Sequence, residues 1–562
     1  MRWSIKSKPE KQKLLALQND LQVDEIVVTL LLQRGIETYE EAKKFFRPSL
    51  DDLHDPYLMK DMDKAVERIE KAIQNQENIL VFGDYDVDGT TAVSLVSSYL
   101  KSFYANVATY IPDRYNEGYG ISYLGIDFAD DNDFSLIIAL DCGIKSIEHI
   151  AYAKEKGIDF IVCDHHRPGD ELPDAVAVLD PKRADCEYPY KELCGCGVGF
   201  KLIQALGKNR NQDIDDLVPY LDLVATAIAA DIVPITGENR VLAKFGLEVI
   251  NAAPRAGIKA LIQNIKKKTL TISDVVFIIA PRINAAGRIK HGNYAVELLT
   301  EFDLAQAIQF AADIETFNAD RKDLDKQITK QALSQIIENN EENRFSTVVY
   351  QEDWHKGVIG IVASRLVENY YRPTVVFTKS GEKLAASARS VKDFDIYNAL
   401  EACAEHLEQF GGHMYAAGMT IKEENLQAFK QAFEEFVEKT IHPDLLTPEV
   451  SIDAEINLSD INPKLLRILR QFEPFGPENM TPVFLTKNVY DTGYPKQLGN
   501  ENEHLRLFVK QDDSEGFGTI GFGLGKKIEI ARNRNVFDLV YSIEENEWNG
   551  NTTIQLQMRD LK

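Results

Sequence analysis

The sequence predicts an α/β fold: a domain with a mainly parallel sheet, linked by a long helix to a smaller α/β domain and followed by a β-barrel of the OB-fold type. Three patterns predict it. Short apolar runs alternate with helix-period segments from residue 79 to about 235; a second alternation begins at "STVVYQEDW" (346–354) and runs to about 440; and residues 450–562 are dominated by strand-like runs separated by turn residues. With 562 residues the chain exceeds the roughly 250–300 at which a single core stops growing, so several domains are required.

In chain order, residues 1–75 predict a helical segment that packs as a cap. "VDEIVVTLLLQRG" and "TYEEAKKFF" carry apolar residues at helical spacing, with Gly35 as a break. Residues 76–240 form the first α/β domain, with strands "NILVFGD", "VATYIP", "SLIIALD", "DFIVCD" and "VAVLD", and helices "TTAVSLVSSYLKSF" and "SIEHIAYAKEKG" between them. A helical connector, 241–342, ends in a charged segment long enough to bridge two lobes as one helix. The second α/β domain spans 343–445. The Pro-rich "HPDLLTP" then leads into the barrel, 446–562.

Composition narrows the function. The chain is 44% hydrophobic and 27% charged, as a globular protein should be. No apolar run reaches the ~20 residues of a membrane-spanning helix, and the N-terminus lacks the apolar core of a secretion signal, so the cytoplasm is the expected compartment. Six cysteines do not have the spacing of a disulfide framework or a paired zinc site. Cys194 and Cys196 in "LCGCGVG" are a conceivable metal pair, but buried thiols beside small residues are the better reading. A net charge of −25 opposes general adhesion to polyanions; a polyanionic substrate must be met by local basic residues and bound cations.

Where the acids fall is the informative regularity. "ILVFG" runs into "DYDVDG" (84–89), carrying Asp84, Asp86 and Asp88; "LIIAL" runs into Asp141; "FIVC" runs into Asp164, His165 and His166; and Asp231 follows the apolar "ATAIAA". In an open parallel sheet, ligands collect beyond the carboxyl ends of the strands, so these groups converge on one rim. Extended backbone would put Asp84, Asp86 and Asp88 on one face, aimed into one pocket. Any one motif alone has a plain reading, such as Asp88 or Thr90 capping the next helix, or "DHH" as a solvated loop. Several carboxylates buried together, however, carry a desolvation cost that cations relieve. Oxygen ligands with one or two imidazoles suit Mn²⁺ or Mg²⁺, and two such ions sharing a carboxylate form a centre for phosphodiester hydrolysis.

"DYDVDG", "ALDCGI" (139–144), "DHHR" (164–167) and "AIAADIVP" (227–234) resemble the four successive motifs of the DHH phosphoesterase superfamily. "GGHMYAAGM" (411–419) resembles the signature of the DHH-associated domain. "WHKGVIGIVASRL" (354–366) and "PRINAAGR" (281–288) are similar to the superfamily's bacterial single-strand-specific exonuclease branch. The resemblance implies Asp86, Asp88, Asp141, His165 and Asp231 as ligands of two Mn²⁺ or Mg²⁺ ions, with Asp141 bridging. It places His166 opposite the scissile phosphate, and groups it with Asp141 and Asp84 in catalysis. Shorter relatives carry a further histidine ligand where this chain has Phe82; Asp84 is the extra acid of the exonuclease branch.

That branch implies hydrolysis of single-stranded DNA from the 5′ end to 5′-mononucleotides, in DNA repair and recombination. Arg114, Arg282, Ser387 and Arg389 are then candidates for phosphate contacts, Tyr119 for stacking on a base, and His413 for contact beside Gly411 and Gly412. The implied partners are single-stranded DNA, a single-strand-binding protein and a RecQ-type helicase, with the enzyme a monomer. Two alternatives compete. A DHH phosphodiesterase for short RNA or cyclic dinucleotides would be a shorter chain and would keep the histidine absent here; an inactive DHH replication scaffold would have no use for a complete set of acids.

Overall fold

The computed structural model describes residues 1–512, 514–548 and 551–562. The chain divides into a larger unit, made of residues 3–287, 291–311 and 450–562, and a smaller unit, made of 1–2, 288–290 and 312–449.

The larger unit is built on a five-stranded sheet: β1 (Asn78–Gly83), β2 (Val107–Tyr110), β3 (Phe134–Leu140), β4 (Asp159–Cys163) and β5 (Ala177–Leu179), in the order β2-β1-β3-β4-β5 with every pair parallel. Residues 79–82 and 136–140 are buried without alternation, because helices cover both faces of a parallel sheet. The strand order reverses between β1 and β3. At such a switch point the connections leave in opposite directions and open a crevice beyond the carboxyl ends. Helix α1 (Val87–Lys101) leaves β1, and helices α2 (Gly195–Asn209) and α3 (Leu221–Ala230) are buried along most of their length.

The N-terminal helices pack as a cap, with Leu17, Val27, Leu30 and Leu31 sharing a core with Leu465, Phe472, Leu507 and Tyr541 of the C-terminal region. The first residues depart from the helical expectation. Arg2–Ile5 is a strand that pairs with Glu449–Ile452, a partner so distant in sequence that no local pattern announces it. Helices fill most of 237–338, and the last, Leu304–Glu338, runs 35 residues and carries the chain from the larger unit into the smaller one.

In the smaller unit a five-stranded sheet has the order Gln409–His413, Ala416–Ile421, Lys383–Arg389, Thr374–Ser380, Thr347–Tyr350; the last pair is parallel and the others antiparallel. The C-terminal strands close on themselves. Phe484–Asp491 pairs with Val536–Trp548, and the ring continues through Asn551–Leu561, Phe517–Gly521 and His504–Lys510 back to Phe484–Asp491, the five-stranded barrel of an OB-fold. The strand-dominated reading of this region did not pick out helix Pro463–Arg470. Its signals were present: Asn462 caps it by accepting from the Leu465 amide, and Pro463 stands at its first position. Among the described residues no helix is long and apolar enough to cross a membrane.

Candidate metal centre and nucleic-acid contacts

β1 ends at Gly83, and the three acids that follow do not lie on one extended face. The chain turns at once into α1. Asp86 is its N-cap, with Oδ1 accepting from the Gly89 amide at 3.0 Å, and Asp88 falls in its first turn. The capping role therefore belongs to Asp86, not to Asp88 or Thr90, and the every-second-residue spacing marks a strand-to-helix turn. Gly89 is required there, since a Cβ would lie 2.4 Å from the Asp84 carbonyl oxygen.

Asp88 is held by a different element. Its two oxygens accept from the amides of Gly195 at 2.6 Å and Cys196 at 2.8 Å, at the N-terminus of α2. Gly195 must be glycine, because a Cβ there would sit 2.6 Å from that of Asp141. Asp141 follows β3 with φ +59°, a left-handed conformation costing on the order of 1 kcal/mol that turns its carboxylate away from the strand path. Asp231 follows the last residue of α3.

These elements bring Asp88, His165 and Asp231 into one tight group and Asp141, His165 and His166 into another. His165 Nε2 lies 3.2 Å from Asp141 Oδ1 and 3.7 Å from both Asp88 Oδ2 and Asp231 Oδ2. Asp84 and Asp86 lie outside both groups. Even so, Asp86 is near enough for its charge to raise the pKa of Asp84, Asp88, Asp141 and Asp231.

Electrostatically, the carboxylates of the centre outnumber the positive charge near them. Burial, reinforced by neighbouring acids, pushes Asp88 up to about 6 and holds Asp84, Asp141 and Asp231 well above the usual carboxylate range. Asp84 Oδ2 and Asp141 Oδ1 are buried with no hydrogen-bond partner. Burial and the neighbouring His166 charge drive His165 down to about 3, which keeps it neutral with a lone pair to offer. Unpaired buried oxygens around a neutral imidazole suit a hard divalent cation.

His166 behaves in the opposite way. Burial lowers its pKa, but the ion pair with Asp164 outweighs burial and raises it to about 9. Asp164 Oδ1 lies 2.7 Å from His166 Nδ1 and also accepts from the amides of His165 and His166, while Oδ2 accepts from Ile144. Asp164 thus fixes the orientation of His166, a role sequence reasoning did not assign. It also missed the Gly195 and Cys196 amides, for which the small-residue run "LCGCGVG" was the available signal. Cys194 and Cys196 are not a metal pair: both thiols are buried, burial holds them protonated, and Cys194 caps α2. Phe82, at the position of the missing histidine, stacks on Tyr110 in the core, with ring centroids 5.2 Å apart.

Of the other candidates in the larger unit, Tyr119 is closest to the acids, with its hydroxyl 3.2 Å from His166 Nε2. Arg114 stacks on the Tyr85 ring, 3.7 Å from its centroid, and donates from Nε to Gly287 O at 2.9 Å. Arg282 donates to the Ile278 carbonyl one helical turn earlier. In the smaller unit, Arg389 donates to Ser387 Oγ at 3.0 Å, and both stand against Gly360, in the first turn of helix Ile359–Tyr370. His413 ends an exposed hairpin strand that also contains Gly411 and Gly412.

The barrel carries a second surface. Along His504–Lys510 the outward positions are His504, Arg506, Phe508 and Lys510, while Leu505, Leu507 and Val509 point into the core. Lys496 pairs with Arg506 across the strand, and Phe522 packs edge-on to His504 at 5.1 Å. Cations interleaved with aromatic rings on one strand are what a single nucleic-acid strand requires.

Comparison with known proteins agrees with this geometry. The DHH family N-terminal domain matches residues 78–228, the DHHA1 domain 343–439 and the RecJ OB domain 452–560. The single-stranded-DNA-specific exonuclease RecJ of Bacillus subtilis (strain 168) is 36% identical over 564 residues, a span of 100% of this chain and 70% of that protein. The chain belongs to the RecJ family. RecJ of Escherichia coli (strain K12) is 32% identical over 94% of each chain. The crystal structure of RecJ from Thermus thermophilus in complex with Mn²⁺ superposes with a TM-score of 0.86 at 27% identity, covering 100% of this chain and 79% of that one.

Proposed function

We infer that the protein is a single-strand-specific exodeoxyribonuclease that hydrolyses phosphodiester bonds from the 5′ end and releases 5′-mononucleotides, acting in DNA repair and recombination. One observation carries the reading: Asp141, with a buried carboxylate oxygen that has no hydrogen-bond partner, gathered with Asp88, Asp231 and a neutral His165 at the switch point of a parallel sheet. The names of its relatives, single-stranded-DNA-specific exonucleases, and the Mn²⁺ and Mg²⁺ complexes of the Thermus protein support it.

Asp86, Asp88, Asp141, His165 and Asp231 would hold Mn²⁺ or Mg²⁺, two ions in all, with Asp84 and Asp141 proposed to share in catalysis. Bound there, the ions supply Lewis-acid activation of water and neutralisation of phosphate charge. The chain's own groups do the rest. His166, protonated below about pH 9, points Nε2 toward the Tyr119 side of the site, where it can stabilise charge developing on the phosphate oxygens. Asp164 holds that proton and that orientation. Arg114, Arg282, Ser387 and Arg389 are proposed phosphate contacts, with His413 beside the strand. The Tyr119 ring, more than half exposed, is proposed to stack on a base.

The outward stripe of the barrel favours a long single strand over a cyclic dinucleotide or short RNA, neither of which would need it. The proposal extends to the division 1–75, 76–240, 241–342, 343–445 and 446–562, to a cytoplasmic monomer, and to a single-strand-binding protein and a RecQ-type helicase as partners. The test is Mn²⁺-loaded protein against 5′-labelled single strands, duplexes, RNA and cyclic dinucleotides, with Asp141→Ala as control. Mononucleotides should leave single strands from the 5′ end and the variant should be inert; equal attack from the 3′ end or a preference for cyclic dinucleotides would overturn the assignment.

A further inference from the structure

The structure assigns a substrate-contacting role to Ile232, the residue that follows Asp231, as an apolar surface against the nucleoside whose phosphate sits at the acid cluster. The inference rests on the exonuclease reading and deepens it.

Two unrelated features meet at this residue. Ile232 has φ +58°, in the left-handed position just past the end of α3. A helix commonly ends on such a residue, and glycine or asparagine ordinarily supplies it, because Cβ crowds the following carbonyl. A β-branched side chain is the most strained choice there. The strain is not repaid by burial. Ile232 is 65% exposed, whereas Val233 and Ile235, which follow in the same turn, are buried in the core at 8% and 1%. A large apolar group is thus held out in solvent on a backbone that would suit glycine better.

Its position gives it a use. The preceding residue, Asp231, puts Oδ2 3.7 Å from His165 Nε2, so the Ile232 Cα is one peptide unit from a member of the acid cluster. The groups gathered there are carboxylates and imidazoles, which deal with a phosphate but offer nothing to the apolar faces of a sugar or base. Apart from Tyr119, which is 54% exposed with its hydroxyl on His166, Ile232 is the exposed apolar side chain attached directly to this cluster among the described residues. A nucleotide with its phosphate at the acids would lay its nucleoside against such a neighbour and cover it, which turns exposed apolar area into binding energy. Because the contact is made to bound substrate and not to the reacting atoms, it acts on affinity.

The experiment compares Mn²⁺-loaded wild type with Ile232→Gly, Ile232→Ala and Ile232→Leu on a single-stranded oligodeoxynucleotide, with thermal unfolding measured alongside. Glycine and alanine should raise KM by roughly tenfold with kcat within about twofold, and leucine should restore KM. The melting temperature of Ile232→Gly should match or exceed that of wild type, because the strain is relieved and no core contact is lost. Glycine and alanine variants with wild-type KM would overturn the inference, as would a fall in kcat at constant KM, which would make the residue a backbone support for Asp231. A wild-type protein that fails to degrade the strand would instead sink the exonuclease reading, and this inference with it. A raised KM in Ile232→Gly without recovery in Ile232→Leu would also count against an apolar contact.

Discussion

The acid cluster and the barrel stripe are built in opposite ways. The cluster is buried, its charges desolvated and mutually repelling, with Asp88 raised to about 6 and oxygens of Asp84 and Asp141 without partners. The stripe of His504, Arg506, Phe508 and Lys510 is on the surface, where charges stay hydrated and little energy is spent in exposing them. Both answer the same difficulty, a polyanion approaching a protein with a net charge of −25. The first does so with cations it must recruit, the second with cations of its own. Hydrolysis should therefore follow the metal, and strand affinity should follow salt.

The strongest way to break that comparison is Asp141→Ala. It should lower hydrolysis of single strands on the order of 10³-fold or more while leaving affinity for a long single strand within about twofold. Fluorescence anisotropy beside a cleavage assay separates the two, and parallel loss of both would mean that the surfaces are one.

Next in size is the cost of the cluster without metal. Asp84, Asp88, Asp141 and Asp231 have native pKa values above their unfolded values, so between about pH 4 and 6 the native state binds more protons than the unfolded chain. His165, held down to about 3, opposes them with one proton in the same window. The acids outnumber it, so metal-free protein should lose about 1 kcal/mol or more per pH unit as pH rises through that window. Urea unfolding in chelator measures it. Mn²⁺ should reverse the trend, because its ligands must be ionised; stability that rises with pH in chelator would refute the account.

Asp164→Asn sharpens the division inside the cluster. His166 should fall from about 9 toward its ordinary value, and cleavage should drop roughly ten- to a hundredfold, more at pH 8 than at pH 6. A loss equal at both values would mean that Asp164 only shapes the backbone. The smallest effects belong to the stripe. Phe508→Ala should weaken single-strand binding by about 1–2 kcal/mol, and Arg506→Ala should reduce the salt dependence by about 0.7 of an ion. Titrations at two salt concentrations check both, and cleavage of a very short oligonucleotide should not change.

The strand-end acids were legible because an apolar run that ends in Asp is a local pattern, and chain direction puts every parallel strand end on one rim. The spacing of "DYDVDG" misled for a physical reason: alternation describes an extended chain, but the Asp86 cap and Gly89 start a helix three residues after the strand ends. Asp164 was visible as a residue and not as a role, since a supporting hydrogen bond to His166 requires the turn after β4 to be folded. The Gly195 and Cys196 amides come from a segment more than 100 residues beyond Asp88, and no local rule pairs them.

By itself the sequence determined which chemical groups the protein has and the order in which the strands deliver them. Right-handed crossovers leave a repeated strand-helix pattern little choice of topology, so that much is set by local propensity and chirality. Only the tertiary structure decided which of those groups are desolvated and unpaired. Burial, and with it the raised carboxylates, the neutral His165 and the protonated His166, depends on what packs around a side chain. So does the exposure of Ile232, while Val233 and Ile235, as apolar as it is, lie in the core.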